Sequence, residues 1–325
     1  LCSNPFNPTT AQELSMRIAC RRRAPNRTFP GLILIMGIAL AAIAGNSAPA
    51  AAASPDTAAP SLDETAQPVL MKLLPPRVTA SKTLTVAVAL GSPPDDFRND
   101  KGEIVGWEID ILRAASQILG LALDVRPTTF DSLIPGLQAK RFDAAVGQMG
   151  VTDVREKVVD MIGTLTSNEL LAALKDSSIT FKGLDDLCGL TVATTRGSRE
   201  FEFARQHQAQ CQALGKQPIN MLAFNDGAGA ADSLISKRSD LFWLGSTAVN
   251  YFVNQSNGRT KIVGSYTDTS YIGIALPKGS DMSAALQAAV QHLIDDGTYR
   301  KIVQKWGLEG GAIKQAPLNP TGTPS

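Results

Sequence analysis

Apolar positions along this chain recur in two alternating periods, and their order predicts an α/β protein. Leu84 to Ala89 is a short, nearly continuous apolar run, as a strand buried on both faces would be. Ile111, Leu112, Ala115, Ile118 and Leu119 then recur at helical spacing and stop at Gly120, a residue suited to ending a helix. Leu121, Leu123 and Val125 predict the next strand, Asp131 caps a helix running through Lys140, and Ala144 to Gly147 predict another strand. This β-α-β-α-β series implies a parallel sheet with helices on both faces.

The pattern restarts after Asp176. Strands are predicted at Leu190 to Thr194, Ile219 to Phe224, Leu241 to Leu244 and Lys261 to Val263. Helices are predicted at Ser198 to His207, at Asp226 to Ser236 and from Ser246 onward. A strand at Ile272 to Leu276 follows, then two amphipathic helices. The first carries Met282, Ala285, Leu286, Ala289, Val290, Leu293 and Ile294, and the second Tyr299, Ile302, Val303 and Trp306. Such stripes predict core packing. Ala48 to Pro76 is rich in Ala, Pro, Ser and Thr without a sustained period, so residues 54–81 are expected to be a disordered tether, with globular structure starting near Lys82. Residues 314–325 share that composition and are expected to be a mobile tail.

The N-terminus changes the picture. Arg17, Arg21 to Arg23 and Arg27 precede an apolar run from Gly31 to Ala44, and small residues of the Ala-x-Ala kind follow up to Ala53. That order predicts a secretory signal peptide with its start at Met16, so residues 1–53 are expected to be an extension plus signal peptide. The run is shorter than the ~20 residues a membrane-spanning helix needs. No cysteine follows it directly, so a free protein is expected rather than a lipid-anchored one. Removing the segment takes five basic residues and one acidic residue from a chain holding 31 and 30. What remains is slightly acidic and has no basic run, which excludes nucleic-acid binding as a working hypothesis.

Cys188 and Cys211 survive cleavage in an oxidising compartment, where one disulfide or two separately buried thiols both fit the spacing. His207 and His292 are the only histidines, and no metal-type cluster of Cys and His is visible. No metal and no cofactor is expected.

Several short signatures stand in a recognisable order: Ser92-Pro93-Pro94, Gly106-Trp107-Glu108-Ile109-Asp110, and Phe130 to Gln138 reading Phe-Asp-Ser-Leu-Ile-Pro-Gly-Leu-Gln. Phe142-Asp143, Met149 with Thr152 and Arg155, Gly197-Ser198, Ser239-Asp240 and Gly297-Thr298-Tyr299 continue it, ending in Lys305-Trp306-Gly307. This ordered set resembles the periplasmic solute-binding proteins of polar amino-acid ABC importers over about Leu84 to Gly307. The resemblance implies a two-lobed periplasmic binding protein fold of type II. Each lobe would be a mixed, mainly parallel sheet flanked by helices, with two hinge strands between them. Lobe one would comprise residues 82–175 and 265–313, and lobe two residues 176–264. It further implies a monomer that captures a small-molecule ligand, an amino acid or carboxylate, for an inner-membrane ABC permease.

Carried over residue by residue, the resemblance makes Arg155 the fork for the ligand's carboxylate, a task that suits paired guanidinium donors. Phe130 matches the aromatic that lies against the ligand, and Gly197 with Ser198 the loop that opens a helix and offers N–H groups to an anionic end. Asp110 matches a family hallmark and is read as structural. The departures bear on the ammonium end. Gly245 stands where the family carries an acid, Ser92 replaces a frequent Tyr, Gln148 replaces a Gly before Met149, and Gly150 a Thr or Ser after it. Asp95 is a candidate replacement charge or, equally, an exposed turn acid. An enzyme on the same scaffold, such as a cyclohexadienyl-type dehydratase, is the rival reading. It would need a general acid beside a leaving group, and Glu108, Asp95 and Glu169 are the acids nearest the expected cleft.

Overall fold

The computed structural model describes residues 64–320, so the expected signal peptide lies outside the described residues. Two short helices, α1 (Pro68–Met71) and α2 (Pro76–Ser81), lead into strand β1 (Thr83–Ala89). A two-stranded ribbon, β2 (Phe97–Arg98) and β3 (Ile104–Val105), precedes α3 (Trp107–Ile118), β4 (Ala122–Thr128), α4 (Leu133–Gln138), β5 (Ala144–Val146) and α5 (Asp153–Glu156). The long strand β6 (Val159–Leu174) carries the chain onward to β7 (Thr191–Thr195), α6 (Arg199–Ala213), β8 (Asn220–Phe224), α7 (Gly227–Ile235), β9 (Leu241–Gly245) and α8 (Ser246–Gln255). A second long strand, β10 (Thr260–Pro277), returns it to α9 (Ser283–Asp295) and α10 (Thr298–Lys305).

The main sheet has eight strands in the order β4-β1-β5-β10-β6-β9-β7-β8. β1 pairs in parallel with β4 and β5, and β7 in parallel with β8 and β9, as the β-α-β patterns require. Between these two parallel halves β6 and β10 run antiparallel to each other, from Val159 against Pro277 to Leu174 against Thr260, with a register shift between Tyr266 and Ser270. This is a two-lobed α/β fold with two strands as its hinge. Each half has its own core: α3, α9 and α10 pack on one face of the first, while Trp243, Phe181, Phe203 and Tyr266 form an aromatic cluster in the second.

Three expectations need correction. The strands foreseen at 261–263 and 272–276 are the two ends of the single strand β10; the mostly polar sequence between them, Ser265 to Ser270, lacks an apolar alternation and so hides the continuity. The tether ends sooner than composition suggests. Gln67 N–H donates to Ile118 O at 2.8 Å, Thr298 Oγ1 donates to Glu64 Oε1 at 2.7 Å, and Val78 is buried. The tail is likewise fixed as far as Asn319, whose N–H donates to Met161 O at 2.7 Å while its Oδ1 accepts from Met161 N–H at 2.9 Å. Backbone partners on lobe one satisfy polar groups that proline-rich composition leaves without regular structure.

The candidate helix cap at Asp131 also shifts. Phe130–Ser132 form a 3-10 turn, Asp131 accepts from Thr129 Oγ1 at 2.5 Å, and α4 begins only at Leu133.

Candidate ligand-binding cleft

A polar cleft lies against the hinge strands and takes walls from both lobes. From lobe one come Ala89, Leu90, Ser92, Phe130, Gln148, Gly150 and Arg155; from lobe two come Thr195, Ser198, Arg199, Glu200, Asn225, Asp226 and Gly245; Ser167 and Glu169 come from β6 itself. The wall residues cluster at the ends of β1, β5, β7, β8 and β9, the carboxyl ends where open α/β sheets expose their loops.

Arg155 sits on α5, whose cap Thr152 accepts the Arg155 N–H at 3.2 Å. Its guanidinium donates to Gly150 O at 2.8 Å and to Gly197 O at 3.5 Å, and it stacks over the Phe130 ring at 5.4 Å. Burial and the nearby charge of Arg199 bring its pKa down to about 10, with Glu200 opposing, so it stays a cation at neutral pH. A planar cation held on an aromatic face is preset for a carboxylate.

Arg199, the first residue of α6, was not among the sequence candidates. It is ion-paired with Glu169 and donates to Ser270 Oγ at 2.8 Å, so it ties lobe two to both hinge strands. Its Nε is buried without a partner among the described residues. Glu200 beside it is buried at 7% exposure. Asp226 caps α7, its Oδ1 accepting from Gly229 N–H at 2.8 Å. The described cleft wall thus sets two cations, Arg155 and Arg199, against three acids, Glu169, Glu200 and Asp226.

Other sequence candidates fall into two groups. Ser92 Oγ accepts from Gly227 N–H at 3.2 Å, joining the lobes at the cleft rim. Gly197 takes a left-handed φ of 72° with Asp131 Cβ 3.1 Å from where its own Cβ would be, and turns the chain into α6. Ser198 Oγ caps that helix by accepting from Phe201 N–H at 3.2 Å, but the Ser198 N–H is spent on Thr195 O. The N–H cradle foreseen there is therefore half used by the loop itself. Met149 is not on the wall: it is buried in the lobe-one core at 1% exposure.

Asp95 is the clearest miss. It is neither an exposed turn acid nor a wall residue; fully buried, it accepts from Trp107 Nε1 at 2.6 Å and from Thr247 Oγ1 at 3.0 Å. Burial, with the charge of Glu108 adding to it, pushes its pKa up to about 8. Asp96 and Glu108 lie in the same buried layer, and burial raises both. Glu108 Oε2 accepts the Gln148 N–H at 2.6 Å, which places this layer directly behind the wall. Asp110 accepts from Lys305 Nζ at 2.8 Å and Trp306 Nε1 at 2.9 Å, a structural tie between α3 and the end of α10.

Cys188 and Cys211 are joined in a disulfide with Cα atoms 5.5 Å apart, between the loop before β7 and α6. His207 Nε2 lies 2.7 Å from Asp185 Oδ1 nearby. Among the described residues no helix is long and apolar enough to cross a membrane.

Two α/β lobes joined by two strands, with a polar cleft between them and charged groups converging from both, define a periplasmic-type binding protein. Residues 84–309 match the family model for bacterial extracellular solute-binding proteins, family 3, and the chain belongs to that family. It is 32% identical over 255 residues to the arginine-binding protein ArgT of Corynebacterium glutamicum, covering 78% of this chain and 83% of that one. It is 26% identical over 232 residues to the L-cystine-binding protein TcyJ of Escherichia coli K12, covering 71% and 84%. Among solved structures it resembles the ancestral amino acid-binding protein AncCDT-1, a precursor of cyclohexadienyl dehydratase, with a TM-score of 0.63 at 26% identity over 71% of this chain and 97% of that one.

Proposed function

We propose that the protein works in the periplasm as a monomeric receptor that closes on an amino acid with a cationic side chain and delivers it to an ABC importer. The observation that carries this reading is the charge of the cleft wall. A zwitterion brings no net charge, whereas an arginine-like ligand brings one positive charge to a wall that holds two cations and three acids. Arg155 over Phe130 offers the carboxylate fork, and Glu200 and Asp226 supply anionic partners on the opposite lobe. The relative named for arginine supports the same choice. Lobes that meet through two strands populate open and closed forms, and a ligand touching both walls shifts the balance toward closure.

A thermal-shift and calorimetry screen of L-arginine, L-lysine, L-ornithine, L-glutamine and L-cystine tests this. L-arginine or another basic amino acid should rank first, and a ligand at ~100 times its Kd should add ~2.7 kcal/mol of stability. If glutamine or cystine outranks every basic amino acid, the charge argument fails. The rival reading, a dehydratase, is disfavoured by the acids themselves: Glu169 is paired with Arg199, and Asp95 and Glu108 stand behind the wall. Turnover of prephenate or arogenate by the purified protein would reverse that judgement.

A further inference from the structure

Gly245 ends β9 on the cleft wall, and a Cβ built on it would collide with the side-chain amide of Gln148, which reaches across from lobe one. Gln148 holds a left-handed φ of 55°, a conformation a residue with a Cβ seldom adopts without external support. The support is visible. Glu108 accepts the Gln148 N–H, and Gln148 Nε2 donates to Thr247 Oγ1, whose hydroxyl in turn donates to Asp95 at 3.0 Å. This relay orients the amide of a residue that lines the cleft; Nε2 is taken by Thr247, while Oε1 has no hydrogen bond among the described residues. A charged side chain at 245 would be unfavourable for a second reason. In the β6–β9 pairing Gly245 stands directly opposite Glu169, where an acid would face like charge across the ladder.

Building on the amino-acid reading above, we propose that Gln148 is a specificity-determining residue: its amide fills the space over Gly245 and offers Oε1 as a neutral acceptor for the ligand's α-ammonium. The acceptor is carried by one lobe and rests on the other, so it is complete only when the lobes are closed. A neutral oxygen also leaves the existing acids to the cationic end of the ligand.

The test has two arms. With the best ligand of the screen at saturation, so that the lobes are closed, thermal unfolding is compared for wild type, Gly245→Ala, Gln148→Gly and the double variant; glycine suits the backbone at 148. Gly245→Ala should lower the Tm in the wild-type background and cost little once Gln148 is gone. An equal loss in both backgrounds would show that the two positions do not compete, and would overturn the proposal. In the second arm, calorimetry compares L-arginine with 5-guanidinopentanoate, which lacks the α-amine. Gln148→Gly should weaken arginine about tenfold or more, as expected for a hydrogen bond to a charged group, and leave the analogue within a factor of two. Equal losses, or none, would refute the ammonium role. If wild type binds neither compound, the arginine reading fails and the ammonium role falls with it, while the first arm still decides whether 148 and 245 share one space.

Discussion

Two sets of carboxyl groups stand on either side of residue 148 and live by different rules. On the cleft side, Glu169, Glu200 and Asp226 share their wall with the guanidinium groups of Arg155 and Arg199. Behind it, Asp95, Asp96 and Glu108 are fully buried, and no cation pairs with them among the described residues. Burying an unpaired charge costs several kcal/mol, so the rear groups lower their energy by taking up protons, whereas the cleft groups have charged partners or a ligand to offset their cost. Proximity to a cleft therefore says little about an acid's role. What surrounds the group decides whether it binds a solute or braces the wall.

The largest expected effect breaks the front layer. Arg155→Ala should cost ~2–5 kcal/mol of ligand binding, roughly 30- to 4,000-fold in Kd, with a much smaller change in the urea midpoint. Calorimetry with the best ligand of the screen checks it; a loss under fivefold would mean that the carboxylate lies elsewhere.

A middle-sized effect belongs to the rear layer and appears in stability rather than binding. The folded-state pKa of Asp95 is raised from 3.8 to about 8, so between those values the folded protein keeps a proton that the unfolded chain has lost. Its stabilising contribution is full below about pH 4, declines as pH rises and is gone above about 8, with a limiting slope of ~1.4 kcal/mol per pH unit. Asp95→Asn cannot titrate, so urea midpoints measured from pH 5 to 8 should fall less steeply than in wild type. Parallel curves would show that Asp95 is already ionised in the folded protein.

The smallest effect sharpens the comparison at Asp226. Asn caps a helix as well as Asp, so Asp226→Asn removes charge while keeping the cap of α7. Affinity for L-arginine should drop roughly three- to tenfold, and affinity for neutral L-glutamine should hold. An equal drop for both would assign Asp226 a purely structural part.

Several features of the site were legible from residue order. Arg155, Phe130, Ser92, Gln148, Gly150, Ser198 and Gly245 all reach the cleft wall. Asp226 entered only as the first residue of a foreseen helix; in the structure its side chain both caps α7 and lines the cleft. Arg199 and Glu200 follow the Gly197-Ser198 loop immediately, yet charged residues in the first turn of a helix are ordinary, and nothing local distinguishes one that turns inward.

By itself, the sequence determined the alternation of strands and helices, because a period of 2 or 3.6 in apolar positions reports which face of each element is buried. Tertiary structure alone decided that β10 is one strand, that residues 64–81 and 314–320 pack, and on which side of Gln148 each acid falls. Those outcomes depend on partners roughly a hundred residues or more away: Asp95 meets Thr247, Gln148 meets Gly245, and Asn319 meets Met161. Periodicity carries no information about such pairings, and a carboxyl group's protonation follows the surroundings they create.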